Sequence, residues 1–249
     1  MKYRKIILIT TISILILVIL GATGFYIKSP DLFNCFFIGA SNNFTEVKGN
    51  LYISNDTPEG LKDSLISVLR KADNRVCKFW ETNKRKGNPV IIFCYSKSLL
   101  SEYSKNNFLI TYKTPFNCFI IIYKDRIDLD MLSHELFHTE FCERIGFFKN
   151  TKIPVWFDEG LAMQVDYRKE YSEEKYFELK DSISGNVNLS QISTPETFYA
   201  GNFYYHFILA RHELDKWMKE TEKEGFYSFM DRINNGEDFY KVYNQLKRN

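Results

Sequence analysis

His134, Glu135 and His138 fall within the pentapeptide His-Glu-Leu-Phe-His, residues 134–138. On a helix, positions i and i+4 share a face, so the two imidazoles can reach a single zinc ion. Histidine is scarce here, the other two being His206 and His212. Glu135 is rotated away from His134 by one residue. Its carboxylate can therefore reach a zinc-bound water rather than the metal, which is where a general base must stand. Taken alone, the pentapeptide also fits an ordinary buried helix with two satisfied histidines.

A second acidic element follows in Ile153-Pro154-Val155-Trp156-Phe157-Asp158-Glu159-Gly160-Leu161-Ala162, which puts Glu159 21 positions after His138 (159 − 138). A turn between two helices would bring Glu159 over the first helix as a third protein ligand. Two imidazoles and a carboxylate leave one coordination position open, the arrangement of a catalytic zinc. Asp158 can orient a ligand imidazole, or it can serve as an acid at a helix N-terminus, favoured by the dipole.

Together the two segments resemble those of the gluzincin metallopeptidases, the group with thermolysin-like and aminopeptidase-like members. Trp156-x-x-Glu159-Gly160-Leu161-Ala162 is similar to the glutamate helix of the aminopeptidase-like branch and of many membrane or secreted relatives. The likeness spans residues 118–210. It implies a zincin-like α+β domain that holds Zn2+ through His134, His138 and Glu159, uses Glu135 as general base and cuts a peptide or protein substrate. It also implies a Tyr or His donor for the oxyanion, often on a Tyr-Ala-x-Ser/Gly helix. Tyr199 in Phe198–His206 fits that description, and His206 is the other candidate. By spacing alone these residues read as an aromatic core stripe and a satisfied core histidine. Such folds pair an extended peptide with the sheet edge beside the cleft, a role that falls to the strand Cys118–Tyr123.

The chain departs from the pattern in places. Met163 stands where thermolysin-like members carry an aspartate four residues after the ligand glutamate. Residues 112–123 lack the Gly-Ala-Met-Glu-Asn type of segment that serves aminopeptidases, so an endopeptidase is expected. A third histidine of the metzincin kind is absent. Two other functions fit the same residues: a catalytically inactive zincin-like binding or sensing domain, and a zinc hydrolase of non-peptide amides.

The elements that must position these residues can be read from pattern. Residues 49–54, Val90–Tyr95 and Cys118–Tyr123 read as strands by β-branched and aromatic content. Asp56-Thr57-Pro58-Glu59 opens a helix running to about Trp80. Residues 84–88 form a polar turn, and a short helix follows over Lys97–Lys105. Asp130 is positioned to cap a helix from Met131 to about Arg144, which Gly146 closes. Further helices are expected from Pro154 to about Asp166, from Ser172 to Ile183, and from Ser193 through Phe198, Tyr199, Phe203 and Phe207. An amphipathic helical C-terminus ends the chain. Strands first and helices later indicate an α+β fold.

Residues 6–27 carry no charge. At ~1.5 Å per residue they span ~33 Å as a helix, enough to cross a ~30 Å hydrocarbon core. Lys2, Arg4 and Lys5 precede them and mark the cytoplasmic side. This predicts a cytoplasmic segment 1–5, a transmembrane signal anchor 6–27, a juxtamembrane segment 28–48 and a peptidase domain 49–249 outside the cytoplasm. Ala22-Thr23-Gly24 also resembles a signal-peptidase site, and cleavage there would release a secreted protein.

Net charge is +2, and without the three basic residues 30 basic side chains face 31 acidic ones. A near-neutral body offers nucleic acid no electrostatic footprint. The five cysteines, Cys35, Cys77, Cys94, Cys118 and Cys142, contain no Cys-x-x-Cys pair, which argues against a cysteine-ligated zinc. In an oxidising compartment Cys94 and Cys118 are the pair expected to bond; otherwise all five pack as small hydrophobes.

Overall fold

A computed structural model of the chain describes residues 2–105, 109–180 and 187–247. It is a mixed α and β structure built on one five-stranded sheet. In chain order the elements are α1 (Lys2–Lys28), α2 (Pro30–Phe36), β1 (Phe44–Lys48), β2 (Leu51–Ser54), α3 (Glu59–Phe79), β3 (Val90–Cys94), α4 (Lys97–Tyr103), β4 (Ile110–Lys113) and β5 (Cys118–Tyr123). They continue as α5 (Leu129–Ile145), α6 (Phe147–Asn150), α7 (Val155–Ala162), α8 (Glu173–Leu179), α9 (Pro195–Phe198), α10 (Phe203–Asn234) and α11 (Phe239–Leu246).

The sheet order is β1-β2-β3-β5-β4. The central pairs β2/β3 and β3/β5 are parallel, and the outer pairs β1/β2 and β4/β5 are antiparallel. Both faces are covered, which explains the unbroken apolar runs of β3 and β5. Leu51, Ile53, Phe93, Ile120 and Ile122 point into the larger core with α3, α5, α7, α10 and α11. Val90, Ile92, Cys94, Phe119 and Ile121 point the other way, against Cys35 of α2 and Leu100 and Tyr103 of α4.

Several expectations change. Cys118–Tyr123 is a strand but not an edge. It lies between β3 and β4, and β4, a strand the pattern did not show, forms that edge of the sheet. Cys94 and Cys118 cannot bond. The parallel register sets Cys94 opposite Tyr123, five residues along β5 from Cys118. At ~3.3 Å per residue that is roughly 16 Å, far beyond disulfide reach. Residues 28–48 hold α2 and β1, both packed into the domain.

Helix boundaries shift for identifiable reasons. Asp128, not Asp130, caps α5, accepting from the amides of Asp130 (2.9 Å) and Met131 (3.0 Å). The Asp130 carboxylate instead pairs with Arg75. Helix α7 stops at Ala162, four residues short of the expected end. The long helix expected from Ser193 is broken: α9 is a single turn, Gly201 takes φ +61°, and Asn202 caps α10 by accepting from Tyr205 N at 3.3 Å. The helix expected over Ser172–Ile183 forms as α8, and its last three residues lie outside the described ones.

The stretch Thr10–Lys28 of α1 is long and apolar enough to cross a membrane. Ile12, Leu15, Leu17, Ile19 and Leu20 are exposed along it. Only Ser29 separates α1 from α2, and its amide donates to Phe25 O at 2.9 Å, so the chain continues without slack. Helix α2 is tied to the sheet: Tyr112 Oη of β4 donates to Asp31 Oδ2 at 2.9 Å, and Phe36 sits edge-on to Phe119 with centroids 4.9 Å apart.

Candidate metal centre

Helix α5 carries His134, Glu135 and His138, and α7 carries Asp158 and Glu159. The two helices pack together after the chain reverses through α6. Trp156 and Phe157 anchor α7 in the aromatic core with Trp217, Phe229, Phe239 and Tyr243. Gly160, next to Glu159, is required by packing. A Cβ there would sit 2.7 Å from Ala210 O and 2.8 Å from the Leu214 side chain, so only glycine lets α7 approach α10.

This packing gathers three buried side chains, His134, His138 and Glu159, into a group that could hold a metal ion. His134 Nε2 lies 3.0 Å from Glu159 Oε2 and 3.0 Å from His138 Nε2, and the His138–Glu159 contact is 3.4 Å. The outer nitrogens face other carboxylates. His138 Nδ1 is 3.1 Å from Asp158 Oδ1, and the other Asp158 oxygen pairs with Lys113 of β4. His134 Nδ1 is 3.4 Å from Asp166 Oδ2, a contact that is electrostatic rather than a formed hydrogen bond. Asp166 is fully buried, and Arg168 Nε bridges its two oxygens at 2.9 and 3.0 Å. Each imidazole is thus turned by an acid at Nδ1 so that Nε2 points inward.

The charges are mutually dependent. Burial opposes protonation of His138, but Glu159 and Asp158 outweigh it and raise its pKa to about 10. Burial likewise opposes charge on His134, which Asp166 and Glu159 raise. The same contacts hold Glu159 well below the usual carboxylate range against the cost of burial. Asp158, desolvated but facing Lys113 and His138, falls to about 2.

Glu135 stands apart from this triangle. Its Oε2 accepts from Thr111 Oγ1 of β4 at 2.6 Å. Tyr199 lies in the break between α9 and α10, and its hydroxyl donates to Glu159 Oε1 at 2.5 Å. Desolvation, then Glu159, then Glu135 push that hydroxyl's pKa up, so it remains a neutral donor. His206 does not reach the group. It is buried, with Nδ1 donating to Phe198 O at 2.6 Å, which pins the turn that bears Tyr199.

The pattern therefore brings together His134, His138, Glu159, Asp158 and Tyr199. It missed Asp166, Arg168, Thr111 and Lys113. Asp166 is the nearest acid after the Glu159 helix, and its position seven residues beyond Glu159 was the available signal. Because α7 ends at Ala162, the chain turns back and sets Asp166 beside His134, where Met163 offers no carboxylate. Asp166→Asn should weaken metal binding about 10- to 100-fold, the usual effect of losing such a partner. Competition against a chromophoric chelator checks this, and unchanged affinity would mean that Arg168 is the only functional partner of Asp166.

A scan against known protein families matches none of them, and the chain matches no curated protein.

Proposed function

We propose that the chain is a zinc-dependent endopeptidase of the gluzincin type, carried outside the cytoplasm on α1. The observation that carries the reading is the triangle of donor atoms, with sides 3.0, 3.0 and 3.4 Å. Tetrahedral zinc with bonds of about 2.0–2.1 Å requires donors about 3.3–3.4 Å apart. Two imidazoles and one carboxylate, each oriented from behind, also form a donor set that suits zinc. When bound, zinc would polarise the scissile carbonyl and bring the pKa of a coordinated water toward ~7.

The rest of the chemistry falls to the chain's own groups. Glu135, held by Thr111, accepts the proton of the attacking water and passes it to the leaving amine. Tyr199, kept neutral, is the donor assigned to the developing oxyanion. Strand β4 supports a substrate path. It is an edge strand that carries Thr111 and Lys113, and an extended peptide can add to its outer side, which pairs with no strand among the described residues. The edge role expected of Cys118–Tyr123 thus passes to β4. Lys2, Arg4 and Lys5 favour a cytoplasmic N-terminus, which places the sheet and the metal centre across the membrane.

The test uses the full-length chain, purified in detergent without chelators. One zinc per chain by elemental analysis, with chelator-sensitive cleavage of a mixed peptide library, is the expected result. A folded chain that binds no zinc when zinc is supplied would overturn the reading.

A further inference from the structure

Cys118 begins β5, and Cys142 lies on α5 one helical turn beyond His138. Each thiol is the largest influence on the other's pKa, Cys142 lowering that of Cys118 and Cys118 raising that of Cys142. Both line a cavity of about 300 Å3 that opens to solvent between Gly87, Phe116, Glu143 and Phe147. Cys118 is partly exposed and Cys142 is buried. The other three cysteines differ. Cys35 and Cys94 are fully buried, with the Cys35 thiol turned to Tyr103 O at 3.9 Å, and Cys77 is buried on α3 away from this cavity.

We propose that Cys118 and Cys142 form a disulfide that fastens the β4–β5 hairpin to the helix bearing both histidines. The bond would close a covalent and ionic ring around the metal centre. Cys118 is the register partner of Lys113, Lys113 pairs with Asp158, Asp158 contacts His138, and His138 leads through one turn of α5 to Cys142. The bond would link residues 24 positions apart (142 − 118).

The chemistry is thiol–disulfide exchange with an exogenous disulfide. The Cys142 thiol and the nearby Lys113 hold the Cys118 thiol below its usual pKa despite burial, so Cys118 is the group that attacks first. It bonds to one sulfur of the incoming disulfide and expels the other as a thiolate. Cys142 gives up its proton to that thiolate, attacks the Cys118 sulfur and expels the second thiolate, which takes a proton from solvent after Cys118 has released its own. Two cysteine thiols are oxidised, and one external disulfide is reduced to two thiols. The bridge requires nothing of the metal centre and stands whether or not the chain cuts peptides.

The full-length chain in detergent, incubated with oxidised glutathione, is quenched with an alkylating reagent under denaturing conditions and digested without reduction. The expected result is a linked peptide joining Cys118 to Cys142, with Cys35, Cys77 and Cys94 alkylated. The oxidised form should melt roughly 5–10 °C above the reduced one, as closing a loop of this length predicts. That difference should vanish in Cys118→Ser. Alkylated Cys118 and Cys142 after oxidation, a stable glutathione adduct on Cys118, or linkage of either to another cysteine would overturn the proposal. If Cys118→Ser fails to fold, the wild-type peptide map decides.

Discussion

Glu135→Gln is expected to keep its metal and lose about 10²–10⁴-fold in kcat/KM, the range that a positioned general base supplies. The substitution is close to isosteric. Thr111 Oγ1, which now donates to Glu135 Oε2 at 2.6 Å, can donate equally to the amide oxygen, so the side chain should hold its place. None of the three donor atoms belongs to this residue. On the proposed mechanism, what disappears is the capacity to accept a proton from water and return it to the amine. Elemental analysis and initial rates on the best peptide from a library measure both quantities on one preparation. A variant that retains its zinc and most of its activity would remove Glu135 from the mechanism. A variant that loses zinc would mean Glu135 supports the metal instead.

The parts of the centre that were legible in sequence are those encoded within one helix. The spacing of His134 and His138 fixes their common face by covalent geometry alone, and Glu159 came through the character of its own helix. The illegible parts depend on where helices stop and how strands pair. Asp166 reaches His134 only because α7 ends at Ala162. Thr111 and Lys113 lie on a four-residue strand, half-buried throughout, with no alternation to reveal it. Tyr199 was expected within a long helix and instead occupies the break that Gly201 and Asn202 create. The cysteines teach the same lesson. Two strands can be read from composition, but their register cannot, so Cys118 was matched with Cys94 when its neighbour is Cys142. The mixed α and β character was legible, because runs such as Cys118–Tyr123 and the helix of 134–138 differ in period and length.

Removing the metal should have the largest effect on stability and should depend on pH in a definite direction. His138→Ala deletes one donor and leaves the buried Glu159 to His134 and Tyr199, and Asp158 to Lys113. Bound zinc should fall from one per chain to near none. If free zinc exceeds its dissociation constant about 1,000-fold, the lost linkage is about 4 kcal/mol. For a chain of this size that is a drop in Tm of roughly 10 °C. In the metal-free wild type, His138 titrates near 10, so at neutral pH its Nε2 must shed a proton before it can bind an ion. Zinc affinity should therefore rise with pH, up to about tenfold per unit for each proton displaced, and level off only as pH approaches 10. The metal-free protein should behave in the opposite way. A histidine with a folded pKa above its unfolded value stabilises most below about 6.5, and that contribution is lost as pH rises toward 10. Glu159, held low, contributes above about 4.5 and loses its contribution as pH falls. The site thus favours the metal-free fold most between those values, and metal moves the optimum to higher pH. Melting curves with and without chelator from pH 5 to 9, with proton release by calorimetry in two buffers, measure both slopes. Affinity independent of pH over 6–8 would show that zinc does not displace a proton from His138, and the carboxylates around it would then have some task other than orienting a ligand.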